Sequence, residues 1–131
     1  MLRAQAEETQ EGVATWLRWG ANRLRSADPV PVWRDGDVRF AVLPQNVLLP
    51  APGEEGAAGG QNEVAVTIVE IVALGGGAVV WLEPVGLPGE RVQMRLPARA
   101  LRERGLEAGA RLAVRIRPED VVPLGPAAGA A

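Results

Sequence analysis

The sequence predicts an all-β fold, a small barrel or sandwich with many turns. Its 131 residues include 16 glycines and 11 prolines, which separate many short apolar runs. Leu112, Val114 and Ile116 alternate with a set of residues that includes three arginines. This period-two pattern is typical of a strand that is buried on one face and exposed to solvent on the other. The same pattern of strand, proline turn and short strand occurs twice, which predicts two related β-units sharing a core.

The two copies of this repeat are residues 36–50 and 105–124. Counting back from Pro44 and from Pro118, the apolar positions correspond pairwise: Val38, Phe40 and Val42 with Leu112, Val114 and Ile116. Counting forward, Asn46-Val47 corresponds to Asp120-Val121. Alternation alone would fit any two amphipathic strands, but the shared proline and the following Asx-Val favour a repeat.

The first half of the chain is expected to form one β-unit, residues 13–50. Residues 1–12 are polar and are expected to be a flexible lead. Residues 14–19 and 22–25 suit a hairpin turning at Gly20-Ala21-Asn22. Trp16 and Trp19 are three apart in that strand, so one is expected in the core and the other at the rim. A proline-governed extended connection, 28–32, leads to the first long strand, 37–43.

The second half is expected to form a β-unit over residues 63–124. A flexible linker of small and acidic residues, 51–62, precedes it. Strands are predicted at 63–74, 78–82 and 91–96, with a turn at Gly75-Gly76-Gly77. One short helix is predicted near 97–104, since Pro97 suits a helix start and Gly105 a helix stop. Residues 125–131 are expected to be a disordered tail.

The composition excludes several functional classes. The chain has no Cys, His or Tyr, which removes disulfides, thiolate and imidazole metal sites and histidine-based catalysis. No catalytic residue, metal or cofactor is therefore predicted. A net charge of −2 and a single Phe argue against a nucleic-acid partner of the stacking type. The sequence shows no signal peptide and no span of about 20 apolar residues, so a cytoplasmic location without membrane insertion is expected.

The stretches EVAVTIVEIVALGGGAVVWLE, RVQMRLPARALRERGLEAG and ARLAVRIRPEDVVPL together resemble a TOBE domain. This is the OB-like β-barrel module at the C-terminus of many ABC importer ATPases, and R-I-R-P-E-D-V is similar to how the maltose, glycerol-phosphate and polyamine types end. The resemblance implies a regulatory region that forms a homodimer and works with an ATPase and a permease, which would place it peripherally at the inner membrane. The chain has no phosphate-binding Gly-x-x-x-x-Gly-Lys-Ser/Thr loop, so no ATPase activity of its own is expected.

A second branch of the family leaves an alternative open. Molbindins and molybdate importer ATPases carry Ser-Ala-Arg-Asn before the first long strand and a Lys with small hydroxyl residues near the end. Gln61-Asn62 and Arg117 occupy the corresponding places, and Asn62 and a positive charge are kept. Glu119 would repel an oxyanion at short range. The alternative is therefore a small protein that binds molybdate or tungstate at Gln61, Asn62 and Arg117.

Other motifs have a structural and a functional interpretation. The turn at Gly75, Gly76 and Gly77 precedes a strand rather than a helix, so a hairpin turn is favoured over a phosphate cradle. Glu119 and Asp120 are expected to form a solvated turn rather than an acid–base pair. The family resemblance places both turns near ligand or partner surfaces. It also implies self-association, for which the interface candidates are Trp16, Trp19, Trp33 and Trp81.

Overall fold

The computed structural model describes residues 1–51, 54 and 61–125. They form two antiparallel sheets, with strand order β3-β2-β1-β4-β9 in one and β7-β6-β5-β8 in the other. The strands are β1 (Leu2–Glu7), β2 (Val13–Trp19), β3 (Asn22–Pro31), β4 (Asp37–Ala41), β5 (Asn62–Leu74), β6 (Gly77–Pro84), β7 (Val92–Pro97), β8 (Arg111–Ile116) and β9 (Val122–Leu124). The single helix, α1, covers Ala98–Arg104. The all-β class with one short helix is confirmed.

The alternating apolar residues of both sheets meet in one core. Val64, Val66 and Ile68 of β5 are at most 1% exposed, as are Val114 and Ile116 of β8 and Leu17 and Trp19 of β2. Trp19 packs edge-on against Phe40, with ring centroids 5.4 Å apart and an interplanar angle of 78°. Because one cluster contains buried side chains from both sheets, the two units cannot bury their apolar faces separately.

The predicted repeat is present in the structure. In each copy, the segment after the 3₁₀ turn pairs with the strand of the other copy. A 3₁₀ turn, Pro44–Asn46, follows β4 and brings Leu48 onto Arg115 of β8. A second 3₁₀ turn, Pro118–Asp120, follows β8 and brings β9 onto β4. The residues before the two turns have nearly the same backbone angles, −70° and 140° at Leu43 against −67° and 144° at Arg117. Each unit therefore completes the sheet edge of the other.

The expected flexible lead at residues 1–12 is wrong for its first half. β1 lies in the middle of its sheet, hydrogen-bonded to both β2 and β4. Leu2 and Ala4 are 6% and 5% exposed, whereas Arg3, Gln5 and Glu7 point to the other face. Residues 2–7 alternate as in a strand, but small alanines at inward positions left the segment with few large apolar residues. It therefore looked polar.

Three other boundaries also differ from expectation. The proline-governed segment 28–31 continues β3 instead of linking it to β4. Asn62, assigned to the linker, begins β5 and is 6% exposed. β9, assigned to the second unit, joins the sheet of the first. The rest of the linker and tail predictions fall largely on residues 52–53, 55–60 and 126–131, which lie outside the described residues.

Glycines allow the two units to meet closely at one end. The loop between β6 and β7 lies on the turn between β2 and β3, where the Ala21 N–H donates to the Val85 carbonyl at 2.8 Å. Gly20 has a φ of 63°, and a Cβ there would lie 2.5 Å from the Val85 oxygen. A Cβ on Gly86 would lie 2.9 Å from the Ala21 nitrogen. Any side chain at these positions would separate the two units.

Candidate functional site at the end of β5 and β8

The predicted ligand residues come together at one end of the second sheet. Asn62 begins β5 and is paired with Ile116, the last residue of β8. Arg117 therefore continues from the strand that Asn62 faces, and Gln61 lies just before Asn62. This end of the sheet also contains the 3₁₀ turn with Glu119 and Asp120.

Both ends of the Asn62 side-chain amide bond to the backbone of Arg25. Its Oδ1 accepts from the Arg25 N–H at 2.7 Å, and its Nδ2 donates to the Arg25 carbonyl at 2.8 Å. Such paired bonds satisfy a buried amide and the two backbone groups of a strand edge. In this structure the Asn62 amide joins β5 to β3 and so supports the site.

Arg117 is the main cation of the site, and it is held by its own turn. Its Nε donates to Asp120 Oδ2 at 2.6 Å, and Glu119 Oε1 lies 3.6 Å from the same nitrogen. The Asp120 hydrogen bond and charge raise the pKa of the Arg117 guanidinium above its ordinary value, so it stays cationic. The side chains of Arg117 and Asp120 are 44% and 13% exposed. Asp120 thus binds the arginine of its own turn with its carboxylate.

The glycine turn lies far from this site. Gly75 and Gly76 follow the other end of β5, a 13-residue strand that reaches at most about 40 Å from Asn62 at about 3.3 Å per residue. Gly77 begins β6, and the Gly76 carbonyl accepts from the Ala98 N–H at 3.0 Å. The glycines form a hairpin turn, as favoured by the sequence, and do not join Arg117 in one pocket.

Trp19 is not an interface residue, because its side chain is fully buried in the core. Trp16, Trp33 and Trp81 are half-buried. The prediction that Trp16 and Trp19 divide between rim and core is confirmed. Two of the half-buried rings are covered by arginines: the Arg23 guanidinium lies 4.0 Å from the Trp16 ring centre, and Arg39 lies 3.5 Å from that of Trp33.

The chemistry of the site is anion recognition by a guanidinium beside two carboxylates. A guanidinium has five N–H donors in a planar fork that suits tetrahedral and planar oxyanions. Glu119 and Asp120 compete with any such anion for Arg117. Among the described residues, no group of three or more acidic, histidine or cysteine side chains could hold a metal ion. In the same part of the chain, helices that could cross a membrane are absent.

Sequence reasoning missed two residues that connect the units. Asn22 bonds to both backbone groups of Ala65, as Asn62 does to those of Arg25. Glu90 Oε2 accepts from the Arg3 backbone N–H at 3.1 Å and from the Trp19 indole N–H at 3.4 Å. A signal for the asparagines was present, because Gly-x-Asn precedes both β3 and β5. Nothing in the local sequence around Glu90 indicates its partners.

Comparison with known proteins agrees with the fold. The profile of the TOBE domain family matches residues 38–124. The structure is similar to that of the cytoplasmic molybdate-binding protein ModG crystallised with molybdate bound, with a TM-score of 0.68 and 18% sequence identity over 92% of each chain. The sequence has no significant match among curated proteins.

Proposed function

The chain belongs to the TOBE domain family, and from this premise we propose that it is a small oxyanion-binding protein for anions of the molybdate and tungstate class. The observation that carries the proposal is architectural. The two-unit fold follows that of a molybdate-bound protein over 92% of both chains. The absence of Cys, His and Tyr from the sequence fits a binding protein better than an enzyme.

Arg117 is the residue proposed to hold the anion. Its side chain is 44% exposed just after β8 ends, and Asn62 fixes the facing end of β5. An incoming oxyanion would displace Glu119 first, because that carboxylate is 62% exposed and lies 3.6 Å away. Asp120 would stay bound at Nε and leave the terminal nitrogens of the guanidinium for the ligand, but its negative charge would oppose the anion and weaken its binding. This competition predicts a modest affinity.

Thermal melting of the purified chain with molybdate, tungstate, sulfate and phosphate tests the proposal. A ligand at about 100 times its dissociation constant stabilises the folded state by roughly 2.7 kcal/mol. One oxyanion is expected to raise Tm clearly, and Arg117→Gln is expected to abolish that rise. The matched control is Arg99→Gln, which removes an equal charge from an exposed helical ion pair with Glu103. The proposal fails if no oxyanion raises Tm, or if both variants respond alike.

A second candidate function is the regulatory region of an ABC importer ATP-binding subunit. The observation that favours it is the ion pairing of Arg117. Asp120 and Glu119, from the Pro-Glu-Asp turn that follows Arg117, already balance the charge of its guanidinium, so no oxyanion is needed there. On this proposal the chain dimerises, with Trp16, Trp33 and Trp81 as interface candidates, and works with an ATPase and a permease. Sedimentation at several protein concentrations distinguishes the two. A concentration-dependent dimer with no response to any oxyanion would support the regulatory function.

A further inference from the structure

A crevice of about 200 Å³ lies between the end of β4 and the start of β7. These two strands belong to different sheets, so no ladder closes the space between them. Trp81 points into it from the outer face of β6, because its neighbours Val80 and Leu82 are buried in the core. We call this space the Trp81 crevice, and the residues of its wall that matter here are Val42, Pro44, Trp81, Arg91, Val92 and Gln93.

The internal repeat makes the Trp81 crevice the counterpart of the Arg117 site. Each place lies beside a 3₁₀ turn, which follows β4 at the crevice and β8 at Arg117. Each also lies at the start of the strand that pairs with it, β1 beside β4 and β5 beside β8. At the crevice, Leu43 takes the place of Arg117 before the proline. The positive charge comes instead from Arg91, which directly precedes β7.

The arginines of the two places differ in their partners. Arg117 is bound by Asp120 and lies beside Glu119. Arg91 is exposed, and its guanidinium makes no ion pair or hydrogen bond with another described residue. Of the charged side chains in the described part of the chain, only that of Arg91 lines the crevice. The crevice is therefore a concave site with one unpaired cation in its wall.

Three carboxylates lie near the crevice without lining it. Glu90 and Glu83 are hydrogen-bonded to N–H groups elsewhere in the structure. Glu70 faces Trp81 from β5, on the side away from β7. Since none of them pairs with Arg91 within the described residues, the guanidinium stays available to an incoming anion. Their charges weaken its attraction, so a bound anion must also gain from contact with the apolar wall.

The wall suits an organic anion better than an inorganic one. Trp81 offers a flat ring, and Val42 and Pro44 add apolar surface beside it. A guanidinium binds a carboxylate through two parallel N–H bonds, and the Gln93 amide has further donors. Apolar walls with a few polar groups are typical of small-molecule sites, and drug-sized ligands occupy roughly 300–1,000 Å³. The smaller crevice therefore fits one ring that carries a carboxylate.

We propose that the Trp81 crevice binds a small organic carboxylate, with the carboxylate on Arg91 and the apolar body of the ligand against Trp81. This goes beyond the proposed oxyanion site, because the crevice lies in the other half of the repeat and does not involve Arg117. Each of the two proposals can therefore fail without the other.

Proton–nitrogen correlation NMR of the full chain, titrated with sodium benzoate at constant ionic strength, tests this proposal. Trp81→Phe identifies the indole signal of Trp81 among those of the four tryptophans. Benzoate is expected to shift this signal and the Gln93 side-chain amide saturably, with a dissociation constant of about 1 mM for so small a ligand. Benzamide has the same ring without the charge and is expected to bind at least about 10-fold more weakly.

The test variant is Arg91→Gln, and the matched control is Arg95→Gln. Arg95 is an exposed arginine of β7 that lies outside the wall of the crevice, so both variants remove the same charge from the same region. Arg91→Gln is expected to weaken benzoate binding at least about 10-fold, because a charge-assisted pair is lost. Arg95→Gln is expected to stay within about 2-fold of the unchanged chain. Both side chains are exposed, so the remaining NMR signals should keep their positions and show that each variant is folded.

Several results would overturn the proposal. One is the absence of a saturable shift up to about 20 mM benzoate, roughly 20 times the expected dissociation constant. Equal weakening by the two glutamine variants would reduce the effect to net charge, and equal binding of benzamide would remove the role of Arg91. Displacement of benzoate by molybdate would contradict the preference for an organic anion. Shifts confined to residues around Arg117 would place benzoate in the oxyanion site instead of the crevice.

Discussion

The side-chain amide of Asn22 makes two hydrogen bonds to the backbone of Ala65. It accepts from the Ala65 N–H at 2.9 Å and donates to the Ala65 carbonyl at 3.2 Å. Asn62 has the same relationship with Arg25, and each partner lies three residues after the opposite asparagine. β3 and β5 belong to different sheets, so the two amides join sheets that share no ladder there.

Replacing either asparagine with alanine should destabilise the protein strongly. Asn62→Ala leaves the Arg25 N–H and carbonyl without their amide partner, whereas Asn22→Ala leaves only the Ala65 N–H, because the Ala65 carbonyl also accepts from the Val85 N–H at 3.0 Å. At about 1–3 kcal/mol for each unsatisfied group, we expect a loss of roughly 1–3 kcal/mol for Asn22→Ala and roughly 2–6 kcal/mol for Asn62→Ala. Urea unfolding measures this directly. Gln45→Ala, at an exposed position of the first 3₁₀ turn, should change the free energy by less than about 0.5 kcal/mol. Equal effects at all three positions would contradict the role of the amides.

The carboxylate of Glu90 should contribute to stability mainly as a hydrogen-bond acceptor. Trp19 is fully buried, so Glu90→Ala leaves its indole N–H unsatisfied and should cost about 1–3 kcal/mol. Glu90→Gln keeps an acceptor oxygen and should cost less than half as much. Urea unfolding of both variants, with the exposed Glu107→Ala as control, provides the measurement. If glutamine is as harmful as alanine, the charge of Glu90 matters more than its acceptor.

Gly20 and Gly75 both have left-handed backbone angles. Replacing each with alanine should separate the free-energy cost of backbone strain from that of steric contact. Gly75 has a φ of 60° and open space around a Cβ, so Gly75→Ala should cost only about 1–2 kcal/mol of strain. Gly20 has a φ of 63°, but a Cβ there would lie 2.5 Å from the Val85 oxygen. Gly20→Ala should therefore cost at least about 1 kcal/mol more, by thermal or urea unfolding. Similar losses in both variants would show that the contact between the two units adjusts freely.

Glu7 should make stability depend on pH on the acid side. The Arg23 hydrogen bond, with help from Arg18, holds the pKa of the Glu7 carboxyl below its ordinary value of 4.5. A carboxyl with a lowered folded-state pKa contributes its stability above the unfolded value and loses it as pH falls through the folded value. The urea midpoint of the unchanged chain should therefore fall more between about pH 5 and pH 3 than that of Glu7→Gln.

The matched control for this pH dependence is Glu103→Gln, which removes a carboxylate from an exposed helical pair with Arg99. Its urea midpoint should follow that of the unchanged chain across the same range. If Glu7→Gln also follows the unchanged chain, the ion pairs of Glu7 do not contribute to acid sensitivity.

The local sequence pattern was enough to predict most strands, the helix and the repeat, because these depend on neighbours in the chain. β4, β5 and β8 have Val, Ile or Phe at alternate positions, whereas β1 was missed because two of its inward residues are alanines. The grouping of Asn62 with Arg117 followed from family resemblance. The bonds that fix the site could not be predicted, since Asn62 is 37 residues from Arg25 and Glu90 is 87 from Arg3. Such contacts depend on how the sheets pack.

The Arg117–Asp120 pair provides a prediction that depends directly on the proposed oxyanion site. Asp120→Asn keeps the shape of the side chain but removes the charge that competes for the guanidinium 2.6 Å away. If an oxyanion binds Arg117, removing this competitor should tighten its affinity by up to about 10-fold, by titration calorimetry with molybdate or tungstate. Glu103→Asn removes an equal charge from the exposed face of α1 and should leave the affinity within about 2-fold. Equal tightening by both variants would reflect net charge alone, and weaker binding in Asp120→Asn would mean that Asp120 positions Arg117 for the anion.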